Sequence, residues 1–517
     1  MKSFLPLLFL GSVLATELKS QTKMYDLEFD PEVYTTQSFT LNKKQYRVRA
    51  YENIIYVATP VDTAYQKLNI YVPEPYFEGE TINGYTKETA PIFFPNGVEG
   101  YLPGAPLTLN GGGRPPMPNR PDGAPRMMPG IPKDADMQQG SAIHVALSKG
   151  YVVASPGARG RTLKNSEGVY TGKAPAGLVD LKAAVCYLRY NDKRIAGDSE
   201  KIISNGTSAG GAMSSLLGAT GDHPDYKPYL LELGAPDVPD HIYAVSAYCP
   251  ITNLDHADCA YEWQFNGVNT YNNPMLNFIY GEGEKKDASG ALTQRQIQVS
   301  DQLKPQFPVY LNSLGMKNER GELLTLDAQG NGNFKTLVIS YVLASAQAAM
   351  DGGKDLSGIK WLTIKDKKVV DIDFEQYIRN MQRMKTPPAF DTFDLSAPEN
   401  HLFGTDAINA QHFTLYSYDN SSVKGTLAAP SIIKMMNPMD YIGNPESKTS
   451  GFWHIRYGSI DSNTSLAIEV ILATYLQNKG YDVDFAIAWD RPHMGDYDLD
   501  ELFAWMDNCC KKGFSKK

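Results

Sequence analysis

The feature that most restricts how this chain can fold is a glycine-rich stretch around Ser208. Residues 202–215 read IISNGTSAGGAMSS, so an apolar run is followed directly by Gly206, Ser208, Gly210 and Gly211. Glycine is unfavourable in strands and helices because its backbone loses the most freedom on ordering, and the clustering therefore needs a structural reason. A strained turn between a buried strand and a helix, which holds the serine hydroxyl above a sheet, supplies that reason.

Alternating strands and helices around this turn predict a mostly parallel sheet with helices on both faces. The predicted strands are 91–95, 150–160, 201–205, 244–251, 452–458 and 482–489, and the predicted helices are 176–194, the stretch after Ser208, 465–479 and one from Leu499. Two further stretches, 45–58 and 67–72, have the composition of strands at an antiparallel edge. The alternation stops over residues 252–450, so we predict a core of residues 22–251 and 451–517 with an inserted domain between them.

A serine hydroxyl is a weak nucleophile and needs a base that is oriented by an acid, in the chain order serine, acid, histidine for this architecture. Among the histidines after Ser208, only His493 follows a late strand that has a carboxylate-bearing strand end before it. Asp461 follows the strand 452–458 and is the preferred acid. Asp490 is the rival, but it would have to fold back on its own loop. Asp461 as a helix cap is disfavoured because Asn463 and Thr464 are better placed to cap the next helix.

Stabilisation of an oxyanion needs backbone N–H groups near the serine. Ala209 follows the serine at the start of a helix, and Gly97 and Val98 follow the strand 91–95, so these three residues are the predicted donors. The run from Asn110 to Gly113 is a weaker alternative because it lies inside the loop 103–132, which is rich in proline and glycine.

Charge and composition exclude several functional classes. The chain has 517 residues and a net charge of -9 with no block of lysine or arginine, so nucleic acid is not an expected partner. In the first 21 residues, Lys2 precedes an apolar stretch from Phe4 to Leu14 that is followed by small residues, which predicts a signal peptide and a secreted or periplasmic protein. The five cysteines include no CxxC with a matching histidine pair, so a zinc site is not predicted. Catalysis by a serine, a histidine and an acid needs no metal or organic cofactor, so none is predicted.

Several motifs make the sequence similar to the bacterial tannase family. They are GTSAGG, GYVVASPGARGR, AVSAYCPITNLD followed by YEWQF, and the late pair RYGSIDSNTS and RPHMGD. The resemblance covers the chain from about residue 40 onward. It implies the α/β-hydrolase fold with a large inserted lid domain, a Ser208, Asp461 and His493 triad, and an esterase acting on galloyl or related phenolic esters.

In that family a lysine and a glutamate of the lid hold the phenolic hydroxyls, which makes Lys385 and Glu399 the corresponding candidates. Asn463 stands where similar proteins have an aspartate, and an amide cannot form the same charge-assisted hydrogen bond. A feruloyl or general aryl esterase therefore stays open as an alternative. A serine peptidase is less favoured because the sequence before the turn shows no propeller repeats. An inactive binding module is less favoured because all three residues of the triad are present.

Overall fold

A computed structural model describes residues 24–110, 141–273 and 289–512 of the chain. The predicted signal peptide lies outside these residues, as do Gly111 to Gly113 and most of the loop 103–132.

The core is a nine-stranded sheet that consists of β1 (Thr35–Leu41), β2 (Lys44–Ile55), β3 (Lys67–Pro73), β4 (Pro91–Pro95), β5 (Val152–Pro156), β6 (Asp198–Thr207), β7 (Ala244–Tyr248), β12 (Phe452–Gly458) and β13 (Asp482–Ala488). The strand order is β1-β2-β3-β5-β4-β6-β7-β12-β13. The first three strands and β5 pair antiparallel, whereas all pairs from β5 to β13 are parallel. The observed sheet thus has the predicted mostly parallel centre and antiparallel edge.

Helices cover the sheet and connect its parallel strands. The core helices are α1 (Ala142–Ser148), α2 (Ala176–Tyr190), α3 (Ala209–Ala219), α4 (Lys227–Glu232), α13 (Leu466–Asn478) and α14 (Leu499–Lys512), with short 3₁₀ turns at Glu74–Glu78 and Pro224–Tyr226. Every residue of β4, β5, β7 and β12 is buried, as expected for strands covered on both faces. None of the helices in the described residues has the length and apolar character needed to cross a bilayer.

Residues 252–450, here called the inserted segment, contribute no strand to the main sheet within the described residues. Its helices are α5 (Leu254–Phe265), α6 (Gln294–Leu303), α7 (Gln306–Ser313), α8 (Asn333–Asp351), α9 (Phe374–Met381), α10 (Pro398–Leu402), α11 (Leu415–Asp419) and α12 (Pro430–Met435), with a 3₁₀ turn at Pro438–Asp440. Two small sheets pair β8 (Thr270–Asn272) with β9 (Ser289–Ala291) and β10 (Leu362–Lys365) with β11 (Lys368–Ile372). Aromatic contacts join this segment to the core, such as Tyr341 against Phe485 at 4.7 Å between ring centroids.

Candidate active site

Ser208 lies in the sharp turn between β6 and α3 and has a strained backbone. Its φ and ψ angles are 60° and -122°, a region that residues with a side chain rarely adopt. The Ser208 N–H donates to Tyr248 O at 2.9 Å, which fixes the turn against the neighbouring strand β7. The side chain is half-buried, so the hydroxyl is held at the carboxyl edge of the parallel sheet and remains reachable.

Close backbone contacts explain the glycines around Ser208. A Cβ atom at Gly206 would lie 2.3 Å from Gly210 O, and one at Gly210 would lie 2.8 Å from Val98 O. Asn96 braces the same turn, since its Nδ2 donates to Asn205 O and Gly210 O, both at 3.1 Å. The strand, the helix and the loop after β4 therefore meet too closely for any side chain at these positions.

His493 and Asp461 form a hydrogen-bonded pair at the same edge of the sheet. His493 Nδ1 donates to Asp461 Oδ2 at 2.7 Å, and Asn463 N–H donates to Asp461 Oδ1 at 2.8 Å. Asp461 is fully buried in the loop after β12, and His493 is half-buried in the loop after β13. A buried carboxylate at Nδ1 fixes the imidazole so that Nε2 is the atom free to accept a proton.

The histidine loop packs directly on the turn that carries Ser208. A Cβ atom at Gly495 would lie 2.0 Å from Thr207 Oγ1, and Asn205 Nδ2 donates to Asp496 Oδ1 at 3.0 Å. His493 Nε2 makes no hydrogen bond with any described residue, so the bond to Ser208 is not formed in this structure. Such bonds are often long in ligand-free enzymes and tighten when substrate binds.

Two buried ionisable groups next to Asp461, Glu469 and Cys249, are shifted towards their neutral forms. Burial and the charge of Asp461 raise the pKa of Glu469 well above its ordinary value, which favours the protonated form of Glu469. Burial and the charge of Asp461 also raise the pKa of the Cys249 thiol, which therefore stays neutral. Three side chains here could also hold a metal ion: Cys249, Asp461 and His493. Each offers one ligand atom, and these three atoms lie within 4.8 Å of one another. The 2.7 Å hydrogen bond between Asp461 and His493 is the contact that a proton-transfer pair requires.

The rival aspartate, Asp490, does not contact the histidine. Its carboxylate is exposed and lies 3.8 Å from Lys354 Nζ, and its N–H donates to Ser459 Oγ at 2.7 Å. Other histidines also pair with aspartates, including His241 with Asp222 at 2.8 Å. A histidine–aspartate pair alone therefore does not mark the site, whereas its position beside Ser208 does.

The inserted segment contains a second chain of serine, histidine and aspartate. His412 contacts Asp391 Oδ1 at 2.6 Å and Ser421 Oγ at 2.8 Å. Ser421 is not a comparable nucleophile, because its hydroxyl donates to Val423 O at 2.8 Å. Asp391 also accepts bonds from the N–H groups of Phe413 and Thr414, so this network holds loops of the inserted segment together.

The predicted oxyanion donors lie next to one another. The loop after β4 touches the start of α3, as the short distance from the Gly210 Cβ position to Val98 O shows. Val98 N–H already donates to Asn96 Oδ1 at 3.3 Å, so Gly97 is the better placed of the two loop donors. Ala209 is fully buried at the first position of α3, where helix N–H groups have no partner within the helix.

Lys385 lies in a loop of the inserted segment and Glu399 in the first turn of helix α10, and the two act on each other electrostatically. Burial lowers the pKa of Lys385, and the charges of Glu399, Asp258 and Asp461 partly oppose this shift. The Lys385 ammonium lies 3.7 Å from the centre of the Phe390 ring. Glu399 is 5% exposed, and its charge helps to raise the pKa of Tyr101, which burial raises most.

Asn463 lies beside the acid: its backbone N–H donates a hydrogen bond to Asp461, and its side chain is buried. Its Oδ1 has no hydrogen-bond partner among the described residues. A buried acceptor without a partner is costly unless a ligand donates to it, which fits a position that faces a bound hydroxyl.

Sequence reasoning missed Tyr261, which joins the two halves of the site. Its buried hydroxyl donates to Ser462 O at 2.9 Å and accepts from the N–H groups of Met384 and Lys385, both at 3.0 Å. The YEWQF motif was the only signal of this role in the sequence, since the partners are more than 100 residues away.

The chain is similar to known ester hydrolases in both sequence and fold. The BD-FAE family model, a feruloyl-esterase-like domain, matches residues 131–304, and no match was found among curated proteins. The Fusobacterium nucleatum tannase is 47% identical with a TM-score of 0.84, over 94% of this chain and 100% of that chain. The native tannin acyl hydrolase from Lactobacillus plantarum is 40% identical with a TM-score of 0.84, over 94% and 99% of the two chains. A tannin acyl hydrolase in complex with ethyl gallate is 41% identical with a TM-score of 0.84, over the same shares.

Proposed function

Since the chain belongs to the bacterial tannase family, we propose that it hydrolyses galloyl esters through an acyl-enzyme formed on Ser208. It is a carboxylic ester hydrolase with the α/β-hydrolase fold. The observation that carries the proposed chemistry is the hydrogen-bonded pair of His493 and Asp461, packed against the strained turn of Ser208.

In the proposed reaction, Ser208 Oγ attacks the ester carbonyl while His493 Nε2 takes the hydroxyl proton. Asp461 stabilises the resulting imidazolium, and the N–H groups of Ala209 and Gly97 stabilise the oxyanion. The imidazolium then gives its proton to the leaving alcohol, which leaves the gallate acyl group on Ser208. Water attacks this ester with His493 again as base, and gallate is released.

The acyl group is recognised, in this proposal, by Lys385, Glu399 and Asn463. A galloyl ring has three adjacent hydroxyls, and a cation, a carboxylate and an amide oxygen can each hydrogen-bond one of them in a water-poor pocket. The inserted segment that supplies Lys385 and Glu399 would act as a lid over the core. The complex of a similar protein with ethyl gallate supports this substrate class.

A feruloyl or general aryl esterase is the second candidate. The match to a feruloyl-esterase-like family model favours it, and so does an uncharged side chain at position 463. We further propose that the protein is exported, based on the apolar stretch near its N-terminus; fractionation of the expressing cells would check this.

The function is tested by comparing kcat/KM for methyl gallate, methyl protocatechuate, methyl ferulate and an acetate ester, together with labelling by a fluorophosphonate probe. We expect methyl gallate to be the best substrate, and Ser208→Ala to abolish labelling and lower kcat by roughly 10⁴-fold or more. A preference for ferulate would support the second candidate, and labelling that persists in Ser208→Ala would refute the assignment of the nucleophile.

A further inference from the structure

A cavity of about 650 Å³ lies where the inserted segment meets the core. Its lining includes Trp361, Tyr377 and Arg379 from the inserted segment and Ser459, Ile460 and Trp489 from the core. The volume is within the range of small-molecule sites in proteins. None of the residues assigned above to the chemistry or to the acyl group lines it, so it is a separate feature of the molecule.

Aromatic side chains dominate one wall of this cavity. The Trp361 ring lies 5.0 Å from Tyr377 and 5.7 Å from Trp489 between centroids, and both tryptophans are only half-buried. Ile460 beside them is 39% exposed and adds apolar surface to the same wall. A partly open aromatic cluster around a cavity is the kind of surface that stacks against a flat ring.

Charged and amide groups complete the lining. Lys360 and Arg379 are exposed cations at the cavity, while the carboxylate of Asp490 lies 3.8 Å from Lys354 Nζ. Gln376 and Asn380 add side-chain amides that can donate and accept hydrogen bonds. Aromatic faces beside cations and amides fit a phenyl ring that carries several hydroxyl groups, because such a ring stacks and also hydrogen-bonds along its edge.

The cavity opens at the same edge of the sheet as the catalytic site. Ser459 and Ile460 directly precede Asp461, and Trp489 lies four residues before His493. Tyr377 attaches the inserted segment to this edge through a 2.6 Å hydrogen bond from its hydroxyl to Ser459 O. Strand β13, which leads to Trp489, is three positions from β6, which leads to Ser208, so at about 4.8 Å per strand these two strands are roughly 14 Å apart. An ester with several phenolic rings on one polyol can span such a distance.

We propose that this cavity binds a second phenolic ring of the same substrate while the ester of another ring is cleaved at Ser208. The inference rests on the proposed function and extends it, since it makes the enzyme selective for esters that carry more than one galloyl group. A substrate with one ring gains nothing from the cavity.

The test compares KM for methyl gallate and for penta-O-galloylglucose in the full-length enzyme and its variants. We expect Trp361→Ala and Trp489→Ala to raise KM for penta-O-galloylglucose at least fivefold and to change KM for methyl gallate less than twofold. Arg379→Gln and Lys360→Gln, which alter exposed side chains and leave the aromatic packing intact, are expected to shift the same KM in the same direction by a smaller factor. If a tryptophan variant does not fold, these two variants still test whether the cavity binds a second ring.

Matched controls are Trp505→Ala, another half-buried tryptophan outside the cavity, and Lys365→Gln, an exposed lysine on β10. Equal changes for both substrates, no change, or the same change in the controls would overturn the second-ring site. An equal rise in KM for a mono-galloylglucose would also overturn it, because the cavity would then bind the sugar. Failure of the wild type to hydrolyse methyl gallate would instead overturn the proposed function itself.

Discussion

At the scale of single residues, burial distinguishes the two aspartates that the sequence offers as the acid partner of His493. Asp461 is fully buried and accepts from His493 Nδ1 at 2.7 Å, whereas the carboxylate of Asp490 is 66% exposed and faces Lys354. Only a buried carboxylate can fix the imidazole without competition from water.

This difference predicts opposite outcomes for two matched substitutions. Asp461→Asn should lower kcat by roughly 10⁴-fold, because an amide favours the wrong tautomer of His493. Asp490→Asn should leave kcat within about twofold. Steady-state rates with methyl gallate check both, and a large loss in Asp490→Asn alone would contradict the assignment.

Asn463 provides a second prediction at this scale. Asn463→Asp should raise the ratio of kcat/KM for methyl gallate to that for methyl ferulate by about fivefold or more, because a carboxylate forms stronger hydrogen bonds with a phenol than an amide does. Asn463→Ala serves as the control and should lower the ratio. An unchanged ratio in both variants would mean that the residue does not face the ring.

At the scale of elements, helix α5 places the lysine of the proposed acyl-binding site. Besides Tyr261, the helix carries Glu262, which forms a fully buried ion pair with Arg383. Arg383 precedes Lys385 by two residues, so this ion pair anchors the stretch that carries the lysine. The hydroxyl of Tyr261 links this stretch to Ser462, the residue between Asp461 and Asn463. One helix thereby sets the distance between Lys385 and the loop of the acid.

Tyr261→Phe should therefore raise KM for methyl gallate several-fold and have little effect on the hydrolysis of an acetate ester, which has no ring to hold. The loss of a buried hydroxyl that makes three hydrogen bonds should also lower the free energy of unfolding by about 1–3 kcal/mol. Tyr497→Phe is the matched control for stability, since its buried hydroxyl has no partner among the described residues. Equal effects on both substrates would argue against a positioning role.

At the scale of the whole molecule, a buried carboxyl group in the inserted segment makes the stability of the chain depend on pH. Asp258 on α5 accepts the N–H groups of Phe390 and Asp391, at 2.7 and 3.1 Å. Burial, and then the charge of Asp391, raise the pKa of Asp258 to about 7. The folded chain therefore keeps a proton that the unfolded chain releases near pH 4.

Since the folded state binds this proton more tightly, the contribution of Asp258 is complete below pH 4 and is lost as the pH rises to about 7. The change is at most about 4 kcal/mol, from three pKa units at 1.36 kcal/mol each. The free energy of unfolding of the wild type and of Asp258→Asn should be measured with denaturant at pH 4.5 and at pH 7.5. The value for the wild type minus the value for the variant should be smaller at pH 7.5 than at pH 4.5.

Asp258→Asn loses one of the two oxygens that accept backbone N–H groups, and this loss is the same at every pH. Only the change of the stability difference with pH is therefore informative. Glu375→Gln, at an exposed carboxylate of the inserted segment, should show no such slope. A slope of the opposite sign would mean that Asp258 is charged in the folded protein at low pH.

The sequence by itself determined the features that depend on local pattern. Apolar runs bounded by glycine and proline located the strands of the parallel sheet, and the spacing around Ser208 located the turn, because burial on both faces and a strained backbone each leave a mark on neighbouring residues. Family motifs led to Lys385 and Glu399. The strand β1 and the helix α1 were not predicted, since neither has a strong local pattern.

Only the tertiary structure decided which side chains meet. It separated Asp461 from Asp490, distinguished His493 from the other paired histidines, and placed the hydroxyl of Tyr261 between chain segments more than 100 residues apart. The cavity beside Trp361 and Trp489 was equally invisible, because its walls come from two distant parts of the chain. Periodicity reports whether a residue is buried in its own element, whereas hydrogen bonds and cavities between distant segments depend on how those elements pack together.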